Sequence, residues 1–325
     1  NKLFNTSINR FIILMAVGFV YRRYVDKYET DDELKEYNLI KKYLLNESSI
    51  TRSKKPIIWI HIPYEYNARE WQSFGSRGTT NLNLPYQNLT IRSIIDHNPN
   101  FHICLIDDSS FNNLIPGWTI DINKVGEPQK QHIRKLCLLK LLYIYGGMIV
   151  PSSFLCLKNL DVFYDIGIKN DKPFVVENKC NVYTGNNNLN MIPDSNFIGA
   201  PKNNDVIRQY CLFAENLVSN DYTSEVEFLG DFNKWCVQAI SSKQMNLISG
   251  NLIGTKDSNN KPITCEMLLG ENYLDINENI VGIYIPGKEI LSRTALNWFC
   301  YLDEDKILTG KFVISKYFVI AKANV

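Results

Sequence analysis

The chain has 325 residues, 45% of them apolar, 12% aromatic and 21% charged, enough for one large α/β domain or two small ones. Lys and Arg number 35 against 34 Asp and Glu, so the formal net charge of +1 gives no global pull toward nucleic acid or anionic membrane and leaves any charge-driven partner to a local patch. Eight cysteines lie without C-x-x-C spacing and mostly among apolar neighbours, which argues for scattered buried thiols in a reducing compartment rather than a disulfide framework or a zinc site.

In chain order, the first feature is Phe11 to Tyr21, FIILMAVGFVY, an uncharged apolar run closed by Arg10 on one side and by Arg22 and Arg23 on the other. Such a helix reaches only about 16 Å, against a hydrocarbon core of about 30 Å. Snorkelling arginines and the nearby Leu3, Phe4 and Ile8 extend it. Residues 1–28 therefore read as a hydrophobic N-terminal helix, either a membrane anchor or a docked terminal helix. Thr30 and Glu33 then form a capping box, with Asp31 and Asp32 in the same first turn. Leu34, Tyr37, Ile40 and Leu44 follow at helical spacing, making 29–50 a helical stalk or lid. Asn5, Asn46 and Asn88 stand in N-x-S/T triplets that matter only if the chain enters a secretory lumen.

From residue 51 to 325 the pattern is one domain of alternating strands and helices around a single main core. KPIIWIHIP predicts a buried strand between Pro56 and Pro63. Arg69, Trp71, Arg77 and Gly78 in the loop beyond it cover a cleft or form a contact surface. Pro85 opens a helix with Ile91, Ile94 and Ile95 on its apolar face, and HNPN stops it. FHICLI, Phe101 to Ile106, is a second strand ending in Asp107 and Asp108, and a turn or short helix follows. Strand, helix and strand ending in acid is an opening of nucleotide-binding type.

Pro128 to Tyr145 predicts a largely buried helix, with Gly146 as a left-handed cap and Gly147 freeing the turn into a strand, MIV. FVVE and NFIGA read as strands, NDVIRQYCLFAENLV and SEVEFLGDFNKWCVQAI as helices, and the C-terminal KFVISKYFVIA as a strand. NVYTGNNNLN and TKDSNNKP read as surface loops.

The segments KPIIWIHIPYEYN, IIDHNPNFHICLIDDSSF and LLYIYGGMIVPSSFLCLKNLD, taken together, resemble the capsular-polysaccharide-synthesis and sugar-binding DxD-type glycosyltransferases. The likeness runs over roughly Lys55 to Asp161, with NFIGAPKNND a looser continuation. It implies a GT-A-like, Rossmann-related α/β fold, a mixed sheet with helices on both faces, here preceded by the N-terminal hydrophobic helix. In that family the double glycine leads to an acid that helps hold Mn²⁺ or Mg²⁺ on a nucleotide-sugar diphosphate, whose leaving-group charge the metal neutralises. In this chain the acid's position is Pro151, followed by Ser152 and Ser153, and proline offers no donor atom. The family's Ser-Asp and Arg in the preceding helix fall at about Arg134, Lys135 and Leu138, and are not matched either. No metal cofactor is therefore expected.

Two readings remain. In one, the glycosyltransferase scaffold has lost metal-dependent transfer and serves as a structural or interaction component. Beside a hydrophobic terminus, that suits a membrane-associated part of a larger assembly, for example the capsid of a large DNA virus. In the other, sugar transfer from a nucleotide sugar persists without metal, with His132, Arg134 or Lys135 supplying positive charge.

The candidates for nucleotide or sugar contact are Asp107, Asp108, Arg134, Lys135, Gly146, Gly147, Ser152 and Ser153. Each has a plainer reading. The acid pair fits an Asx-turn and helix cap, Arg134 and Lys135 fit the solvated side of their helix, and Pro-Ser-Ser fits a simple turn. His61 fits a hydrogen-bonded core or edge histidine. No P-loop, nucleophile elbow or paired histidine motif is present.

Overall fold

A computed structural model describes residues 55–63, 84–181, 190–220 and 230–323. The hydrophobic segment 1–28, the helical segment 29–50, the loop bearing Arg69, Trp71, Arg77 and Gly78, and most of NVYTGNNNLN lie outside the described residues.

The apolar run between two prolines forms β1 (Ile57–His61), and Pro85 leads into α1 (Tyr86–His97). Asn98 ends that helix with its side chain. Its amide donates to Ile94 O at 2.8 Å, and its carbonyl accepts the Leu160 N–H at 2.8 Å. Then come β2 (His102–Ile106), the single turn α2 (Phe111–Leu114) and the long α3 (Gln129–Tyr145). Gly146 stops α3 with φ 73° and ψ −163°, outside the left-handed helical cap that its position suggests. The chain turns directly into β3 (Gly147–Ile149), then β4 (Phe154–Cys156) and α4 (Asp161–Gly167).

The remaining elements are β5 (Phe174–Asn181), β6 (Asn190–Ala200), α5 (Asp205–Asn220), α6 (Gly230–Ser241), β7 (Asn246–Ile248), α7 (Cys265–Leu269), β8 (Gly282–Tyr284), α8 (Gly287–Ser292), α9 (Glu304–Leu308) and α10 (Val313–Ala323). TKDSNNKP is a turn closed by a bridge between Lys256 and Pro262, as a surface loop should be.

Six strands form one sheet in the order β2-β1-β3-β6-β5-β7, and β4 pairs with β8 in a separate two-stranded sheet. In the large sheet β1 is parallel to β2 and β3, and β6 alone runs antiparallel to its neighbours β3 and β5. The period of two along β1 separates two cores. Ile57 and Trp59 join the cluster built with α3, α5 and α6, whereas Ile58 and Ile60 join the cluster built with α1 and α4. Helices therefore cover both faces of a mixed, mostly parallel sheet, as the alternation of elements predicts.

Two expectations are corrected. The single main core is three clusters, the third built by β4, β8 and the C-terminal helices. KFVISKYFVIA is the helix α10, not a strand. Val313, Ile314, Phe318 and Ala321 are buried while Lys316, Val319 and Ile320 are exposed, which is the spacing of a helix face. The run misleads because β-branched and aromatic residues lie on both sides of the helix and erase its period from the sequence. Seven of the eight cysteines, all but Cys180, are shown as buried free thiols, consistent with the reading of their apolar surroundings.

Candidate functional site

The sheet order fixes where a ligand would approach. From β1 the chain crosses by α1 on one face to β2; from β2 it crosses by α3 on the other face to β3, on the far side of β1. The connections diverge at the carboxyl ends of β1 and β3, the crevice at which open α/β sheets bind ligands. His61 ends β1, Asp107 and Asp108 follow β2, and Pro151 to Ser153 follow β3. Arg134 and Lys135 reach this edge from the early turns of α3. Gly146 and Gly147 lie at the opposite end of β3, where they set strand spacing rather than line the crevice.

The best-defined constellation joins three of these elements. The Asp108 carboxylate accepts from Arg134 Nε at 3.0 Å and 3.1 Å and from Arg134 Nη2 at 2.8 Å. It also meets His61 Nε2 at 3.0 Å. An ionised carboxylate only accepts, so Nε2 is the nitrogen that carries the His61 proton. Phe111 stacks on the imidazole at a ring separation of 5.3 Å. Burial pushes the Asp108 carboxyl up, but the hydrogen bonds and charges of His61 and Arg134 outweigh it and hold the group well below the usual carboxylate range. Arg134 is therefore not on the solvated side of its helix; its side chain is 4% exposed. An acceptor 26 residues away in sequence and a helix buried nearly all round account for the difference.

The other polar groups at this edge are engaged as well. Asp107 is the cap of a short 3-10 turn, its Oδ1 accepting from Ser110 N at 2.9 Å, Ser110 Oγ at 2.7 Å and Ser109 Oγ at 2.7 Å, so the Asx-cap reading describes it. Lys135 Nζ donates to Asn196 Oδ1 at 2.7 Å, and Asn196 donates from its backbone and amide to Asp194 at 3.0 Å and 2.9 Å. These residues sit where β6 bulges, since its register with β5 moves from Ile198 opposite Val175 to Asp194 opposite Val176. Ser195, inside the bulge, is held by Asn233 Oδ1. Midway along β5, Glu177 accepts from Lys256 and from the Gly250 N–H. Sequence reasoning passed over Asp194, Asn196, Glu177 and Lys256; only the Asp-Ser-Asn triplet, an Asx-turn pattern, gave a local signal.

The loop at the expected acid position is fastened by its backbone. Val150 N donates to Trp59 O at 2.9 Å and Phe154 N to Pro151 O at 3.0 Å. Thr90 Oγ1 donates to Ser152 O at 2.5 Å, and Ile285 N to Ser153 O at 3.1 Å. Ser153 is buried. Pro151, Ser152 and Ser153 themselves supply no carboxylate oxygen at this loop. Among the described residues no three His, Cys, Asp or Glu side chains converge as a metal-binding group.

No family model matches the chain, and no curated protein matches it. Among solved structures it is similar to the apo-form glycosyltransferase GlyE of Streptococcus pneumoniae TIGR4, 10% identical with a TM-score of 0.35 over 61% of this chain and 46% of that one. It is also similar to the PaToxG glycosyltransferase, 15% identical with a TM-score of 0.33 over 67% of this chain and 83% of that one. The chain thus spans less than half the length of the first. Likenesses this distant say nothing about the residues of a site.

Proposed function

We propose that the chain is a GT-A-type glycosyltransferase scaffold that has given up metal-dependent sugar transfer and serves as a membrane-proximal structural or interaction component. The observation that carries this reading is the state of the carboxyl edge of the sheet. The position that should present an acid is Pro151, in a loop held by Thr90 and Ile285, and Asp107, Asp108 and Asp194 are each partnered inside the protein. The divergence of connections at β1 and β3 supports the scaffold, and the sequence resemblance supports its ancestry. Proximity to a membrane rests on the apolar run of residues 11–21.

Calorimetric titration of the full chain with UDP- and GDP-sugars, with and without Mn²⁺, tests the proposal. The expected result is that Mn²⁺ adds nothing to affinity at millimolar ligand and that no sugar is released or transferred. Metal-free turnover would establish the second reading, a transferase that uses fixed cations. The same titration on Pro151→Asp should also show no Mn²⁺-dependent binding, because one carboxylate supplies a single ligand and Lys135 still stands where the family has an acid. Saturable metal-dependent binding by that variant would mean that only this loop had changed.

A further inference from the structure

The helix α10 buries one side against the third core, and its other side carries an unusual combination. From Lys311 to Ala323 the chain has three lysines and no acid. Lys311, Lys316 and Lys322 are exposed and make no ion pair among the described residues. Of the acids on neighbouring elements, Asp303 pairs with Lys306 and both Glu266 and Glu289 with Arg293, while Glu304 and Asp305 of α9 form no ion pair with these lysines. Between the lysines Val319 is 47% exposed and Ile320 43%, side chains that a helix packed only for stability would turn inward. Trp298, 41% exposed, packs edge-on to Phe312 just before the helix begins, at a ring separation of 5.6 Å.

Single exposed apolar residues are ordinary on protein surfaces. An apolar pair set among lysines, with no acid on the element and an aromatic at its flank, is the footprint of a helix lying in a lipid interface. No helix among the described residues is long and apolar enough to cross a membrane, so the contact is one of lying on the surface. We propose that this face of α10 docks on an anionic lipid bilayer, with Val319 and Ile320 entering the headgroup region and Lys311, Lys316 and Lys322 pairing with anionic headgroups. The proposal depends neither on the transferase ancestry nor on whether residues 11–21 insert.

The test is co-sedimentation of the full chain with vesicles of phosphatidylcholine and of phosphatidylcholine mixed with phosphatidylserine. Any insertion of residues 11–21 contributes to both, so the quantity read is the gain on adding phosphatidylserine. The native chain should show a gain that falls with salt. Lys311→Gln, Lys316→Gln and Lys322→Gln combined should weaken binding to the anionic vesicles on the order of 100-fold, with an unchanged melting temperature. A second variant, Val319→Ser with Ile320→Ser, keeps the lysines and should also bind the anionic vesicles less tightly. Absence of a gain in the native chain overturns the proposal, as does a full gain in the lysine variant. If that variant loses binding to polyglutamate but not to vesicles, an acidic protein surface is the occupant and the bilayer assignment fails.

Discussion

Asp108→Asn is expected to destabilise the fold by about 3–5 kcal/mol, read as a lowered denaturant midpoint at neutral pH. The carboxylate is 9% exposed and accepts two hydrogen-bonded arms of a guanidinium that is itself 4% exposed. Replacing it by a neutral amide leaves the Arg134 charge in a site from which water is largely excluded, and that desolvation is the main cost. Removing both charges together, as Asp108→Leu with Arg134→Met, should cost much less than the sum of the single changes, because neither charge is then stranded. The sign with pH follows from the depressed Asp108 pKa. Its ordinary value is near 3.8, and the folded value is lower. The stabilisation is complete above the ordinary value and is lost as pH falls through it toward the folded one. Native stability should therefore decline below about pH 4 more steeply than that of Asp108→Asn. Equal stability of the native chain and Asp108→Asn at neutral pH would show that the ion pair contributes nothing.

That constellation also bears on function. A carboxylate at the carboxyl end of β2 is well placed to meet a nucleotide or sugar, and Asp108 is instead turned to His61 and Arg134. A ligand that recruited it would have to displace both partners. The Asp107 carboxylate is likewise spent on Ser109 and Ser110. Asp108 thus ties β1, β2 and α3 together and Asp107 caps the turn after β2, which are contributions to architecture.

How much was legible in the sequence depended on whether the signal was local. Pro85 and the His-Asn-Pro-Asn stop delimit α1, and the unbroken apolar run Ile57 to Ile60 between prolines foretells a buried strand, because caps and short runs are written within a few residues. Arg134 was not legible, since its partner is distant and a charged residue beside Lys135 reads as solvated. The helix α10 reads as a strand in the sequence because Val319 and Ile320 place apolar, β-branched residues on its outer face among the lysines. The third layer formed with β8 was not foreseen at all, because strands of three residues such as Gly282–Tyr284 carry almost no pattern. At the site, the absence of an acid was plain from Pro151, but the fastening of the loop through carbonyl oxygens has no side-chain signature.

Gly147→Ala should be more damaging still to the architecture, lowering stability by about 3–6 kcal/mol and the melting temperature by roughly 10 °C. A Cβ at Gly147 would stand 2.1 Å from Ile57 O and 2.9 Å from its carbonyl carbon, and Gly147 has φ +92°, which a side chain resists. The obstacle is backbone of β1, so no rotamer change relieves it, and β3 must move away from the strand it pairs with at Ile58 and Trp59. Trp59, fully buried, donates to Gly146 O at 3.0 Å and would lose that bond as well. Ser152→Ala should by contrast lie within about 0.5 kcal/mol of native, because the loop is held there by the carbonyl of Ser152 and not by its hydroxyl. The contrast separates two kinds of constraint that the resemblance runs together. The double glycine is required by the approach of two strands at the amino end of the sheet, whatever the protein does. An acid at the carboxyl end is required only by chemistry on a metal-bound diphosphate. A chain that keeps the first and has proline at the second is what the proposed scaffold role expects. If both substitutions proved equally harmful, Pro151 to Ser153 would have to be more than a turn, and the crevice would regain its claim to a ligand.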